Sequence, residues 1–290
     1  MNKGKWFWIL VIVMTIAVFL GYQSLESMRS DSRAPEISVS ADVLEVSVED
    51  PRSALLQGVT ARDNRDGDVT DSLVVESITL LDGDGTVNVT YAAFDDAGNV
   101  SREERHADYS DYIGPRFTLE QPLVYNKGAN FDILSNVGAT DVLDGDIQHR
   151  VRATVLGDSQ ISDEGTHVVQ FQVTNSLGDT QTKSFPVEVM GVDPYTADME
   201  LGQYIVYLPV GSVFNAASYL KSFTYQRNKV NLSGVVPNGF DLDIKGVVQT
   251  QNPGTYTVAY TLTYTEENER NSANSREYTA YSKLIVIVEG

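Results

Sequence analysis

Cysteine is absent from the 290 residues, histidine occurs three times and tryptophan twice, and 21 basic residues stand against 40 acidic ones. The lack of cysteine excludes a lipoprotein anchor and the disulfide staple common in small exported domains, so each folded part must be held by core burial or bound metal. The histidines, His106, His149 and His167, are scattered, with no His-Glu-x-x-His pair, and no Gly-x-Ser-x-Gly elbow occurs. His149 and His167 read as ordinary strand or loop residues. In a chain this acidic, paired carboxylates do not nominate a glycosidase, and the expectation is a protein that is not an enzyme. Both tryptophans, Trp6 and Trp8, fall in the first apolar segment, which leaves Tyr and Phe as the only aromatics for a carbohydrate platform elsewhere. Tyr204, Tyr207, Tyr219, Tyr225, Tyr264 and Tyr281 sit at strand spacing and read as core or cross-strand pairs.

Positive charge is scarce where it would matter for nucleic acid. Four basic and two acidic residues precede residue 34, leaving 17 basic and 38 acidic residues beyond it, a formal charge of −21. Such a surface repels nucleic acid and anionic lipid, so neither is an expected partner.

What the chain does have begins with Trp6 to Leu20, fifteen uncharged residues broken only by Thr15. With Gly21 and Tyr22 the run approaches the ~20 residues that cross a hydrocarbon core. No Ala-x-Ala site follows it, which favours an uncleaved signal anchor over a cleaved signal peptide. Residues 1–22 are therefore expected to be a short cytoplasmic start and a membrane span, with residues 6–22 in the membrane. Lys3 and Lys5 before the span place the N-terminus in the cytoplasm and the rest outside. Residues 23–33 are polar and read as a stalk.

An internal repeat follows. Ala61-Arg-Asp-Asn-Arg-Asp-Gly-Asp-Val-Thr70 is matched by Ala139-Thr-Asp-Val-Leu-Asp-Gly-Asp-Ile147, with Asp66 and Asp144 78 residues apart. Thr90-Tyr-Ala-Ala-Phe-Asp-Asp-Ala-Gly-Asn-Val100 is matched by Gln170-Phe-Gln-Val-Thr-Asn-Ser-Leu-Gly-Asp-Thr180, with Gly98 and Gly178 80 apart. The period is too long for a solenoid and close to the roughly 100 residues of an immunoglobulin-like sandwich. Val87, Val89, Tyr91 and Ala93 alternate with polar or small residues as a half-buried strand should. The charged stretch from Val100 to Tyr109 reads as an exposed edge strand. The division is three tandem domains, 34–113, 114–193 and 194–290, strung like beads. The third is divergent: Pro253 to Tyr260 repeats the entry to the best strand, but no Asp-Gly-Asp loop is present.

If Asp63 ends the second strand and Asp95 follows the sixth, Asp63, Asp66, Asp68, Asp95, Asp96 and Asn99 converge at one pole. Six side-chain oxygen donors there suit calcium, which takes 6–8 oxygens. Asp141, Asp144 and Asp146 form the second copy, where Asn175 and Ser176 replace Asp95 and Asp96, so calcium would bind more weakly. The other reading is that Asp-Gly makes turns and that Asp63 or Asp95 closes an Asx-turn, the commoner use of such loops.

The pattern Asp-Asn-x-Asp-Gly-Asp-Val-Thr, followed by a Tyr-bearing strand and Asp-Asp-Ala-Gly-Asn, resembles the Ig-like domains repeated in bacterial surface proteins, especially Gram-positive ones. The resemblance is good over 34–113, fair over 114–190 and thin beyond. It implies an all-β chain of sandwiches used as spacer, stalk or adhesive module outside the cell, with no catalytic site and with a protein or cell-wall partner. An alternative use is a calcium-stiffened adhesin in which the third domain binds through the polar hairpin tip Glu266 to Glu277.

Overall fold

The computed structural model describes residues 3–29, 31–40, 43–128, 132–157, 161–191, 195–266 and 275–290, with residues 3 and 24–29 described by backbone alone. It is mostly β and divides into two compact units, Met1–Tyr112 and Ile113–Gly290.

The first unit opens with helix α1 (Lys3–Arg29). Its segment Gly4–Gln23 has a mean hydropathy of 2.0 and is long and apolar enough to cross a membrane. The large side chains from Trp6 to Tyr22 are exposed, with no protein surface covering them. Seven strands follow: β1 (Glu36–Val39), β2 (Val43–Val46), β3 (Val59–Asp63), β4 (Gly67–Asp68), β5 (Val74–Leu80), β6 (Thr86–Phe94) and β7 (Val100–Tyr109). They form two sheets, β1-β3-β4 and β2-β7-β6-β5. Alternation on β6 turns Val87, Val89 and Tyr91 into the core, each fully buried. The Tyr91 hydroxyl donates to the Leu55 carbonyl at 2.7 Å, so the ring fills the core without leaving a polar atom unpaired.

Strand β7 corrects the edge-strand expectation. Its residues His106 to Tyr109 lie between β6 and β2, paired parallel to Val43–Val46; among the described residues the half from Val100 to Arg105 has β6 alone as its paired strand. In that free half Arg102 makes a two-pronged salt bridge to Glu76 at 2.7 Å. Arg105 is buried instead, donating to the Gln57 carbonyl at 2.7 Å.

The second unit repeats this plan twice. Strands β8 (Arg116–Leu119), β9 (Val124–Asn126), β10 (Val137–Asp141), β11 (Gly145–Asp146), β12 (Arg152–Leu156), β13 (Gly165–Thr174) and β14 (Thr180–Met190), with the single-turn helix α2 (Ile133–Asn136), give sheets β11-β10-β8 and β12-β13-β14-β9. Strands β15 (Ala197–Leu201), β16 (Ile205–Pro209), β17 (Leu220–Tyr225), β18 (Asn228–Asn231), β19 (Phe240–Lys245), β20 (Gly254–Glu266) and β21 (Arg276–Glu289) give sheets β15-β17-β18 and β16-β21-β20-β19. The C-terminal sandwich therefore keeps the strand order of the others. Where they carry Asp-Gly-Asp, it carries the β17–β18 hairpin, whose Gln226 takes a positive φ of 51°.

These two sandwiches are not separate beads. Parallel pairing of β16 with β21 puts Ile205 opposite Ile285 and Tyr207 opposite Ile287 on one face. That face packs into the core around Phe117, Phe171 and Phe185, while Val206, Leu284, Val286 and Val288 pack on the opposite side around Tyr260 and Phe223. Leu284 to Val288 is consequently buried at every residue, and the sequence there is uninterrupted Leu-Ile-Val-Ile-Val rather than alternating. Polar links surround this seam. The Tyr207 hydroxyl receives a hydrogen bond from the Phe117 amide at 2.7 Å and donates to its carbonyl at 3.2 Å. Burial pushes that phenol above its ordinary range. Arg116 sits over the Tyr207 ring and pairs with Glu289, and Glu188 pairs with Lys283 and accepts from Tyr281.

Because Ile287 serves a core shared by two sandwiches, Ile287→Ala is expected to destabilise residues 113–290 by about 2–5 kcal/mol. Urea unfolding followed by tyrosine fluorescence should show both sandwiches losing stability together in one transition.

Candidate functional site

The acidic pole of the first unit is built by strand ends. Asp63 closes β3 and Asp95 follows β6, and both side chains are buried, with 3% and 7% of their surface exposed. The Asp63 Oδ1 accepts from the backbone amides of Arg65 at 2.6 Å and Asp66 at 2.9 Å. The Asp66 and Arg65 amides hold its carboxyl below the ordinary carboxylate range. This is the Asx-turn reading realised, and the turn then needs Gly67 at φ +83°, as its counterpart Gly145 stands at +69°. Only one oxygen of Asp63 is used: Oδ2 is buried without a hydrogen-bond partner. Asp95 accepts from the Asn99 amide and from Asn99 Nδ2, each at 2.7 Å.

The remaining predicted donors separate into local roles. The Asp66 Oδ2 accepts from the Asp96 amide at 3.0 Å and so ties the two loops together. Asp68 turns away to the Thr70 amide at 3.0 Å, and bonding from Thr70 holds its carboxyl below the usual range. Asn99 acts as a hydrogen-bond donor through Nδ2 to Asp95 and to the Asp31 carbonyl at 3.2 Å. The cluster that forms is Asp31, Asp63 and Asp95, one oxygen from each lying within 4.8 Å of the others.

Asp31 was absent from the six sequence candidates because it lies in the polar stretch assigned to a stalk, where no periodicity marks it. Its signal was spacing. Asp31-x-x-x-Pro35 is repeated as Asp111-x-x-x-Pro115, 80 residues on, the same interval that relates Asp95 to Asn175.

The second copy is closed differently. The Asp141 Oδ1 accepts from the Leu143 and Asp144 amides at 2.9 and 3.0 Å, but its Oδ2 accepts from Asn175 Nδ2 at 3.1 Å. Asp144 receives the Ser176 amide and hydroxyl and the Arg150 guanidinium at 2.6–2.7 Å. Burial alone would raise its carboxyl, and the Ser176 and Arg150 contacts outweigh that and lower it. Asp146 accepts from the Gln148 amide at 2.9 Å.

The second unit also holds a cleft of about 520 Å³, lined by residues that include Glu120, Tyr195, Glu200, Tyr204 and Tyr281. Glu200 is held by Lys221 at 2.7 Å, Lys229 at 3.0 Å and the Ser222 hydroxyl at 2.9 Å, contacts that push it down to about 2. His167 is buried, its Nε2 2.6 Å from the Asp163 carbonyl. Tyr225 packs ring to ring with Tyr264 and with Tyr278, each at 4.9 Å, in keeping with core pairs.

No family model matches the chain, and no curated protein matches it. Among solved structures it is similar to the second CBM51 and INT domains of Clostridium perfringens ZmpB, with 19% identity over 51% of this chain and 26% of that one, at a TM-score of 0.21. It is also similar to the protocadherin gammaB4 extracellular domain and to mouse cadherin-23 EC22-24. Both are 11% identical over 89% of this chain, covering 50% and 99% of their own, and both give a TM-score of 0.20. The chain thus spans about a quarter and a half of the first two. TM-scores this low carry no argument, and the fold rests on the strand pairing above.

The lowered Glu200 value fixes a pH dependence. Its folded value lies below the unfolded one, so its stabilisation is present above about pH 4.5 and is lost as pH falls toward about 2. Glu200→Gln is expected to lower stability at pH 6 and to converge with the parent near pH 2, as read by urea midpoints across that range.

Proposed function

We propose that the chain is a membrane-anchored structural or interaction protein, without catalytic activity, that presents immunoglobulin-like sandwiches at the bacterial cell surface. The uncovered apolar helix Gly4–Gln23, followed among the described residues by two-sheet sandwiches, carries this reading. An apolar surface of that length without a protein partner is stable in lipid. Lys3 and Lys5 ahead of it support a cytoplasmic N-terminus. The absence of cysteine and the acidic surface suit an exported chain stabilised by its cores. The two sandwiches from residue 113 onward share a core within one compact unit, which suits spacing or presenting a contact surface to a protein or cell-wall partner outside.

A second reading, a calcium-stiffened adhesin that binds through its C-terminal sandwich, is favoured by the acidic pole and by the tyrosine-lined cleft. The contact hairpin expected at 266–277 lies largely outside the described residues.

The cysteine-free chain makes topology directly measurable. Val213 is 97% exposed, so Val213→Cys supplies a single accessible thiol. Intact cells treated with a membrane-impermeant maleimide should label it as fully as lysed cells do, with the protein staying in the membrane fraction. Labelling only after lysis would overturn the exterior placement, and release into the medium would overturn the anchor.

A further inference from the structure

We infer that Asp31, Asp63 and Asp95 form a calcium site that fastens the segment leaving the helix to the pole of the first sandwich. Three carboxylates bring one oxygen each within 4.8 Å of one another, two of them almost wholly removed from water. Like charges at that separation repel, and burial denies them the solvent screening that would make the approach tolerable. The Asp63 Oδ2 and the Asp31 Oδ2 are both buried without a hydrogen-bond donor, although the other oxygen of each accepts a backbone amide. A buried acceptor with no donor asks for a cation.

The donor set selects the ion. With carboxylate oxygens and no imidazole or thiolate, the cluster suits a hard cation, and calcium tolerates an irregular shell completed by water where magnesium demands a near-ideal octahedron. At the second pole an amide serves the corresponding carboxylate. Asn175 stands at the position of Asp95, and its amide donates to Asp141 Oδ2 at 3.1 Å, satisfying the oxygen that Asp63 leaves orphaned. The Asp111 carboxylate, which corresponds to Asp31, is taken by the Ser47 hydroxyl at 2.6 Å and the Val48 amide at 2.8 Å. Among the described residues one such site follows, at the first pole. Asp31 lies two residues beyond the end of α1 at Arg29, so the ion closes a loop between the polar stretch and strands β3 and β6.

The test uses the full chain in detergent micelles, stripped with chelator and titrated calorimetrically with calcium chloride, with magnesium as competitor and thermal melts alongside. One ion per chain should bind and raise the melting temperature of the first unit. Asp31→Asn and Asp95→Asn should each weaken binding about tenfold or more and remove the thermal shift, while Asp146→Asn keeps both. In chelator, Asp95→Asn should melt no lower than the parent, because its amide can serve Asp63 as Asn175 serves Asp141. If Asp95→Asn fails to fold, Asp31→Asn, which lies outside both sheets, decides the matter. The absence of heat and thermal shift up to about 10 mM calcium, above the range of weak extracellular sites, would overturn the inference. Unchanged affinity in both variants would overturn it too. Neither outcome bears on which side of a membrane the chain faces, which thiol labelling reads separately.

Discussion

In each sandwich the second strand pairs parallel with the last: β2 with β7, β9 with β14, β16 with β21. Every other part of the fold depends on that closure. In a chain without disulfides it joins the beginning of a domain to its end, so the two sheets cannot drift apart without breaking a ladder. Large rings then fill the enclosed space, Tyr91 in the first copy, Phe117, Phe171 and Phe185 in the second, Phe223 and Tyr260 in the third. Tyrosines are used where a backbone carbonyl is available to the hydroxyl, as Leu55 is to Tyr91 and Ala216 to Tyr260.

Much of this was legible in the residues because its causes are local. The Asp-Gly-Asp loops announce a turn because an aspartate oxygen can cap the amides that follow and glycine can take the positive φ. Strand β6 announces itself because its side chains must alternate between core and solvent. The fusion of the second and third sandwiches was not legible as such, since it depends on which face of β16 and β21 meets a distant sheet. Its trace is the loss of alternation at Leu284 to Val288, where a strand buried on both faces has no solvent side to mark. The charged half of β7 misled for the opposite reason: Arg102 to Glu104 marks an open edge, Arg105 is buried, and the pairing with β2 begins only at His106.

The aspartate pole was legible in outline, and the structure gathers two of its six candidates, Asp63 and Asp95, with Asp31. Topology brings the ends of β3 and β6 together, as the spacing implied, but hydrogen-bond geometry decides which oxygens remain free. Asp66 and Asp68 each accept a backbone amide through one oxygen and Asn99 donates its amide to Asp95, while the carboxylates that gather are those of Asp31, Asp63 and Asp95. The third carboxylate comes from Asp31, a residue whose assignment required comparing where each copy begins rather than where its loops lie. Between the copies Asp95 gives way to Asn175 and Asn99 to Asp179, so the carboxylate moves within the pole and the amide takes the place from which it donates to Asp141.

Parallel closure also fixes how each sandwich would carry a load. When the two ends of a domain lie on adjacent parallel strands, tension between those ends draws the strands past each other along their length. The hydrogen bonds between them lie across the pull and must yield together rather than one after another. In the C-terminal sandwich the sliding strand would also drag Ile285 and Ile287 out of a neighbouring core, so rupture there would begin only when two domains give way at once.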